Sequence, residues 1–399
     1  MPTGMIHSPD QEDQKMTSTD TLRSAQLSDL VPLLKDQQTR RQDVVLPAKN
    51  VWFQGGQLRI AGAEPVVDDS GVTDVNGVYR PTAVFDDGLS EKLGMPRAFL
   101  RRLRDEGRTH LLDQNLNELL HGWADDGVDG MDKRFMVRSF RASGEHESIA
   151  RALLSPSFRP IENIDVLMAV LDGMKRAGLG PQNIKQCDLT ERRMYVTVTA
   201  EEIKALAPEL LGNYRSPFSG NRGADNPTVF AGLVISNSET GDGAFSITPR
   251  LTVQVCSNGM TITKDAFRKT HLGAKLDDGV IKYSDETHAD NLRLIASQAK
   301  DAVTTFLNVE YMQRVINELT EKSAEKIPAT EAQKRIEVVS TKLAYGKEAA
   351  AGILDHFLTA GDLTRGGVLH AVTSFAQTVE DADKAFAMES SATRVLDLV

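Results

Sequence analysis

Eight arginines and a tyrosine in the middle of the chain are the residues whose type and spacing best suit chemistry: Arg134, Arg138, Arg159, Arg192, Arg193, Tyr195, Arg215, Arg222 and Arg250. Guanidinium groups on a sheet face or in an adjacent loop suit backbone phosphates, and a Tyr or Phe beside them can stack on a base. Arg268 and Lys269, in the basic run 267–271, extend the set. The loop 213–227 adds weight because it is long and holds two of these arginines with a Tyr and a Phe. The competing reading is internal: carboxylates within the fold pair with the arginines and neutralise several of them. The sequence leaves both readings open.

Other chemistries are weaker. There is no GxxxxGK[ST] phosphate loop and no strand–GxGxxG–helix unit, which argues against P-loop and dinucleotide enzymes. His146-Glu147 begins an HExxH pattern, but position 150 is Ala and the second histidine is missing. A calcium loop started at Asp125 fails, since its third and twelfth positions are Gly127 and Met136. No GxSxG elbow appears, and Cys187 and Cys256 lack metal-type spacing. Cys256 has no His within a few residues, so a small buried residue closing a strand is the expectation. No cofactor and no metal are expected. A metal-dependent nuclease with an irregular site stands as an alternative.

The chain of 399 residues carries a net charge of −10, which taken alone disfavours nucleic acid. The distribution is less one-sided: residues 131–275 hold 19 Lys plus Arg against 15 Asp plus Glu, so the acidic surplus lies in the flanks. Mean hydropathy is −0.29, and no run approaches the about eighteen apolar residues a membrane span needs. Residues 1–20 lack the apolar core of a signal peptide. These features predict a cytoplasmic protein with no membrane partner and with buried thiols rather than a Cys187–Cys256 bridge.

The elements that must position the arginines follow from periodicity. Phe245, Ile247, Leu251, Val253 and Val255 alternate with Ser246, Thr248, Arg250, Thr252 and Gln254, which predicts a strand with one packed and one wet face. Pro249 lacks an N–H and places an edge or a bulge there. Residues 229–235 are apolar on both faces, and the Asn, Asp and Gly residues of 237–243 supply the turn of an antiparallel hairpin. Residues 192–199 read as another strand and 134–141 as β-rich, while 149–154 suggests a helical turn. Helices are expected over 89–107, with Pro96 in its first turn, and over 111–123, with a stripe of Leu112, Leu116, Leu119 and Leu120. Others are expected over 163–177, 290–319, 331–357, 368–378 and 382–399. The resulting fold class is α+β: a central antiparallel sheet flanked by helices, with an α-helical C-terminal region. The divisions are a disordered tail (1–25), an N-terminal α+β region (26–123), a β-rich core (131–283) and a helical region (284–399).

Several segments taken together resemble a known family. RFMVRSFR (134–141), ARALLSPSFRPIENIDVL, ERRMYVTVT and VISNSETGDGAFSITPRLTVQVCSNGM occur in this order, followed by GGVLHAVTSFAQTVEDADKA. The chain is similar, from about residue 89 onward, to the phage/plasmid-like proteins of domain-of-unknown-function family 932. Arg250, Cys256, Ser257 and Asn258 carry its marker, a strand ending in Cys-Ser-Asn-Gly. The resemblance implies a bacteriophage or mobile-element protein acting in the host cytoplasm. The family has no established activity, but its members often accompany replication and recombination genes, and the layout is loosely similar to single-strand annealing recombinases. The expectation is a non-enzymatic protein that binds single-stranded DNA, or anneals strands without ATP, as a homo-oligomer. The rival from another class is a structural or host-interaction protein, which the acidic total and the helical C-terminus favour.

Overall fold

The computed structural model describes residues 21–68, 71–123, 128–130, 132–143, 147–255, 259–261, 265–269 and 285–399. The chain begins β1 (Leu22–Ala25), α1 (Leu27–Arg40), β2 (Arg41–Pro47), β3 (Val51–Gln54), β4 (Gln57–Ile60), β5 (Val66–Asp68), β6 (Gly71–Thr73) and β7 (Gly77–Pro81). Three helices follow: α2 (Ala83–Leu93), α3 (Arg97–Asp105) and α4 (Thr109–His121). Next come β8 (Gly122–Trp123), β9 (Val128–Asp129), β10 (Arg134–Phe140), β11 (Ile149–Leu154), α5 (Asn163–Arg176), β12 (Ile184–Leu189) and β13 (Met194–Leu206). Then α6 (Pro208–Leu211) precedes β14 (Thr228–Asn237), β15 (Phe245–Val253), β16 (Gly259–Thr261) and β17 (Phe267–Lys269). The last part is α7 (Asp285–Phe306), α8 (Val309–Ser323), α9 (Ala329–Lys342), α10 (Lys347–Ala360), α11 (Arg365–Ala376) and α12 (Ala382–Ser391).

Among the described residues two main sheets form. The larger is antiparallel, in the order β1-β12-β13-β14-β15-β16, with β17 also on β15. The smaller has the order β2-β10-β11-β7-β4-β3, with β11 and β7 parallel. The chain is therefore α+β, with a large antiparallel sheet and a helical C-terminal region. Each sheet has its own apolar core. Val196, Leu233, Ile247 and Leu251 of the larger one share a cluster with Ile295, Met312 and Leu369 from α7, α8 and α11. Phe53, Leu58 and Ile60 of the smaller pack with Leu100 and Leu103 of α3 and Leu112, Leu116 and Leu120 of α4. Leu119, read as part of that stripe, is instead 43% exposed.

Several expectations shift. Leu22–Ala25, placed in a disordered tail, is a strand on β12. β10 and β11, grouped with the central core, belong to the smaller sheet and pair with β2 and β7. Residues 149–154 are a strand rather than a helical turn; all six are buried, so packing on both faces erased the period-two signal. The expected helix 290–319 is two helices, because Asn308 caps α8 by accepting from the Tyr311 N–H.

The polar face of β15, expected to be wet, is covered. Ser246 and Thr248 are buried, the Ser236 and Ser246 hydroxyls lie 2.9 Å apart, and α12 reaches over Arg250 with Glu389. Pro249 lies where a missing donor is harmless. On the outer side of β15, β17 pairs with Phe245–Ile247 and β16 with Arg250–Thr252, leaving the proline between them. Close packing also fixes α5 against α7: a Cβ at Gly173 would stand 2.3 Å from the Ala296 carbonyl oxygen.

Candidate nucleic-acid interface

Most of the arginines singled out by sequence are occupied inside the fold. Arg138, on β10, has no exposed surface. Its guanidinium meets Asp43 of β2 at 3.0 Å, Glu239 after β14 at 3.6 Å, and Glu162 at the start of α5. Burial alone would lower its pKa, but the three carboxylates more than offset that and keep it protonated. Arg151 of β11 pairs with Glu239 at 2.8 Å and lies over the Phe140 ring, 4.4 Å from its centroid. Burial opposes ionisation of Glu239, yet Arg151, Arg138 and the Asn163 N–H hold its pKa below the usual carboxylate range. Glu162 moves the other way, raised by burial against the pull of Arg138. The cluster is a closed ionic junction between the smaller sheet and the elements around the larger one.

The remaining positions divide cleanly. Arg192 is bound to Asp87 of α2 and to Asp242. Arg193 donates to the Asp242 carbonyl, and Arg159 to the carbonyls of Pro156 and Phe158 at 3.0 and 2.9 Å. Arg250 makes a two-pronged pair with Glu389 at 2.7 and 3.1 Å. Tyr195 is buried, donates to Asp383 at 2.7 Å and packs on Phe386; burial pushes its hydroxyl pKa up. Arg192 and Arg250 are thus neutralised by carboxylates, whereas Arg159 and Arg193 are half-buried and anchored by backbone carbonyls alone. Arg134 is exposed at the end of β10, and Arg268 is exposed on β17. Lys269 pairs with Phe245 in the β17–β15 ladder, and its side chain lies outside the described residues, as do Cys256, Ser257 and Asn258. Cys187 is a free, buried thiol, pushed up to about 12 chiefly by that burial.

Arg215 and Arg222 are different. They stand opposite each other in a short antiparallel bridge within the loop before β14. The Gly223 N–H donates to the Tyr214 carbonyl at 2.8 Å and the Ser216 N–H to the Asn221 carbonyl at 2.9 Å. Gly220 takes the turn at φ +72°, a conformation glycine adopts without strain. The hairpin is seated by Tyr214, 1% exposed, whose ring lies 4.6 Å from that of His370 on α11. At its tip Phe218 is 51% exposed and meets the edge of His356 at 5.6 Å. Ser219 Oγ donates to the Val255 carbonyl at 3.4 Å, so the hairpin touches the end of the strand that leads into Cys-Ser-Asn-Gly.

Both arginines line a cleft of about 770 Å³ with Lys326 and residues 359–364. Lys326 comes from the segment between α8 and α9, held by its own bridge to Thr364. All three cations are exposed, and among the described residues none has a carboxylate within ion-pair distance. The one acid on the wall, Asp362, is buried, accepts from the Thr364 hydroxyl at 2.8 Å, and has its pKa raised by burial. Periodicity assigned the C-terminal third to packing and missed Lys326; the break at Pro328 was the only local sign of a segment outside the helices.

No family model, curated protein or solved structure matches the chain. Among the described residues no group of three or more His, Cys, Asp or Glu is placed to hold a metal, and no helix is long and apolar enough to cross a membrane.

Proposed function

We propose that this chain is a non-catalytic, ATP-independent protein that binds single-stranded nucleic acid. Contact is made through the Arg215–Arg222–Lys326 cleft rather than through the full arginine set. The observation that carries this reading is the convergence of three exposed cations, from two distant segments, on one concave surface with no ion-pair partner among the described residues. Guanidinium and ammonium groups so placed grip phosphates and leave base edges free, which strand annealing needs. The half-exposed Phe218 on the same hairpin offers a ring for a base. The test is binding of a labelled thymidine oligonucleotide at low salt by the full chain. Binding weakened at least tenfold in Arg215→Ala/Arg222→Ala supports the reading, and no detectable binding at low salt ends it.

A second reading has its own support. Arg138, Arg192 and Arg250 are consumed by internal ion pairs, and the net charge is −10, which suits a scaffold or host-interaction protein. Capture of a host protein that survives nuclease treatment, with no oligonucleotide binding, selects it.

A further inference from the structure

The outward face of the smaller sheet carries a second arrangement, remote in sequence from the cleft. β3 alternates buried and exposed, so Val51 and Phe53 face the core while Trp52 and Gln54 face out. Trp52 is 41% exposed. Its ring is stacked on His121 at the end of α4, with centroids 3.6 Å apart and planes 18° from parallel, and its Nε1 donates to the Lys49 carbonyl at 3.1 Å. The imidazole is itself fixed by a 2.9 Å hydrogen bond between its Nε2 and the Val51 carbonyl. Directly across the ladder Trp52 faces Arg59, and Arg59 faces Val78, which is 54% exposed. Arg59 donates to the Gln54 side chain at 3.1 Å and has no carboxylate partner among the described residues.

We propose that this face is a stacking platform for a base of single-stranded nucleic acid, with Trp52 as the plane and Arg59 as the contact for the adjoining phosphate. The inference rests on the nucleic-acid reading above. Two features select this occupant. The outward residues of β3, β4 and β7 are Trp52, Gln54, Gln57, Arg59, Val78 and Arg80, none of them acidic in a chain of net charge −10. A tryptophan fixed by a stacked ring yet 41% exposed is pre-organised for a second planar group, so little ordering is lost on binding. Strand addition by a second copy is disfavoured, because α4 occupies the edge of β3. Asn117 bonds both the N–H and the carbonyl of Phe53, at 2.8 and 2.9 Å, and Asp113 accepts from the N–H groups of Gly55 and Gly56.

The experiment uses the full chain with Trp123→Phe, leaving Trp52 as the only tryptophan, and titrates three probes: a thymidine oligonucleotide, an abasic oligomer of equal length, and free thymidine monophosphate. Binding is read by anisotropy of labelled strands and by Trp52 fluorescence. Quenching by the oligonucleotide and not by the abasic oligomer is expected. Trp52→Ala is expected to weaken strand binding roughly five- to hundredfold and Trp52→Phe only a few-fold, with both variants keeping the wild-type circular dichroism. Equal quenching by the monophosphate at the same concentration overturns a strand platform in favour of a free-nucleotide site. Strand binding by anisotropy with silent Trp52 overturns the platform and leaves the cleft standing; no anisotropy change overturns both.

Discussion

Arg138 is surrounded by Asp43, Glu162 and Glu239 with no exposed surface, so its charge is committed to the fold. Arg138→Met removes the cation shared by Asp43, Glu162 and Glu239, leaving only Arg151 and Arg41 to balance three carboxylates, and is expected to cost about 3–5 kcal/mol in urea unfolding. Arg134→Ala, four residues earlier on the same strand and exposed, is expected to change stability by less than about 0.5 kcal/mol. A second residue-scale prediction concerns acid. His370 is fully buried against Tyr214, and that burial lowers its pKa from 6.5 to about 4, so it is neutral in the fold. Unfolded chain takes up a proton near 6.5 that the native state refuses until about 4, so stability falls as pH drops through that window, by roughly 3 kcal/mol. Urea midpoints measured across the window should fall less steeply in His370→Gln; parallel slopes would show that another group controls the acid response. Glu239 adds loss in the same direction at lower pH, its stabilisation being present above 4.5 and fading as pH falls below it. What the sequence conveyed at this scale was residue type without partner. Arg134 and Arg138 look alike on paper, and nothing local reveals that Asp43, 95 positions away, folds onto one of them.

At the scale of elements, the hairpin of β14 and β15 was legible because the apolar residues of β15 alternate and the turn residues between the two strands are distinctive. β11 was not, since IARALL is buried on both faces and carries no period. The split between α7 and α8 was also hidden, because the apolar stripe runs on through Asn308 as if the helix were continuous. The wet face assigned to β15 failed for a related reason: α12 covers it with Glu389, and periodicity reports polarity, not what later folds over it. Element packing makes its own prediction. α5 approaches α7 through Gly173, where even a methyl group would overlap the Ala296 carbonyl. Gly173→Ala is expected to lower stability by about 1–3 kcal/mol through overpacking, although alanine favours helix. An unchanged unfolding midpoint would mean the two helices separate freely.

In the whole molecule two apolar cores meet across a charged junction, where Arg138 and Arg151 of the smaller sheet face Glu162 and Glu239, and Arg192 faces Asp87. That junction takes Arg138 and Arg192 out of the set a sequence reading would offer to a polynucleotide. The cleft gathers three exposed cations, and its two segments, around Arg222 and Lys326, are about a hundred residues apart in a chain with no local signal linking them. The salt dependence of single-strand binding tests the cleft most directly. With three phosphates held at Arg215, Arg222 and Lys326, affinity for a thymidine oligonucleotide is predicted to fall roughly twentyfold between about 50 mM and about 200 mM salt, and the logarithmic slope to flatten by about 2 units when all three are changed to Ala. A slope unaltered by the triple substitution, or no binding at the lower salt, contradicts the account.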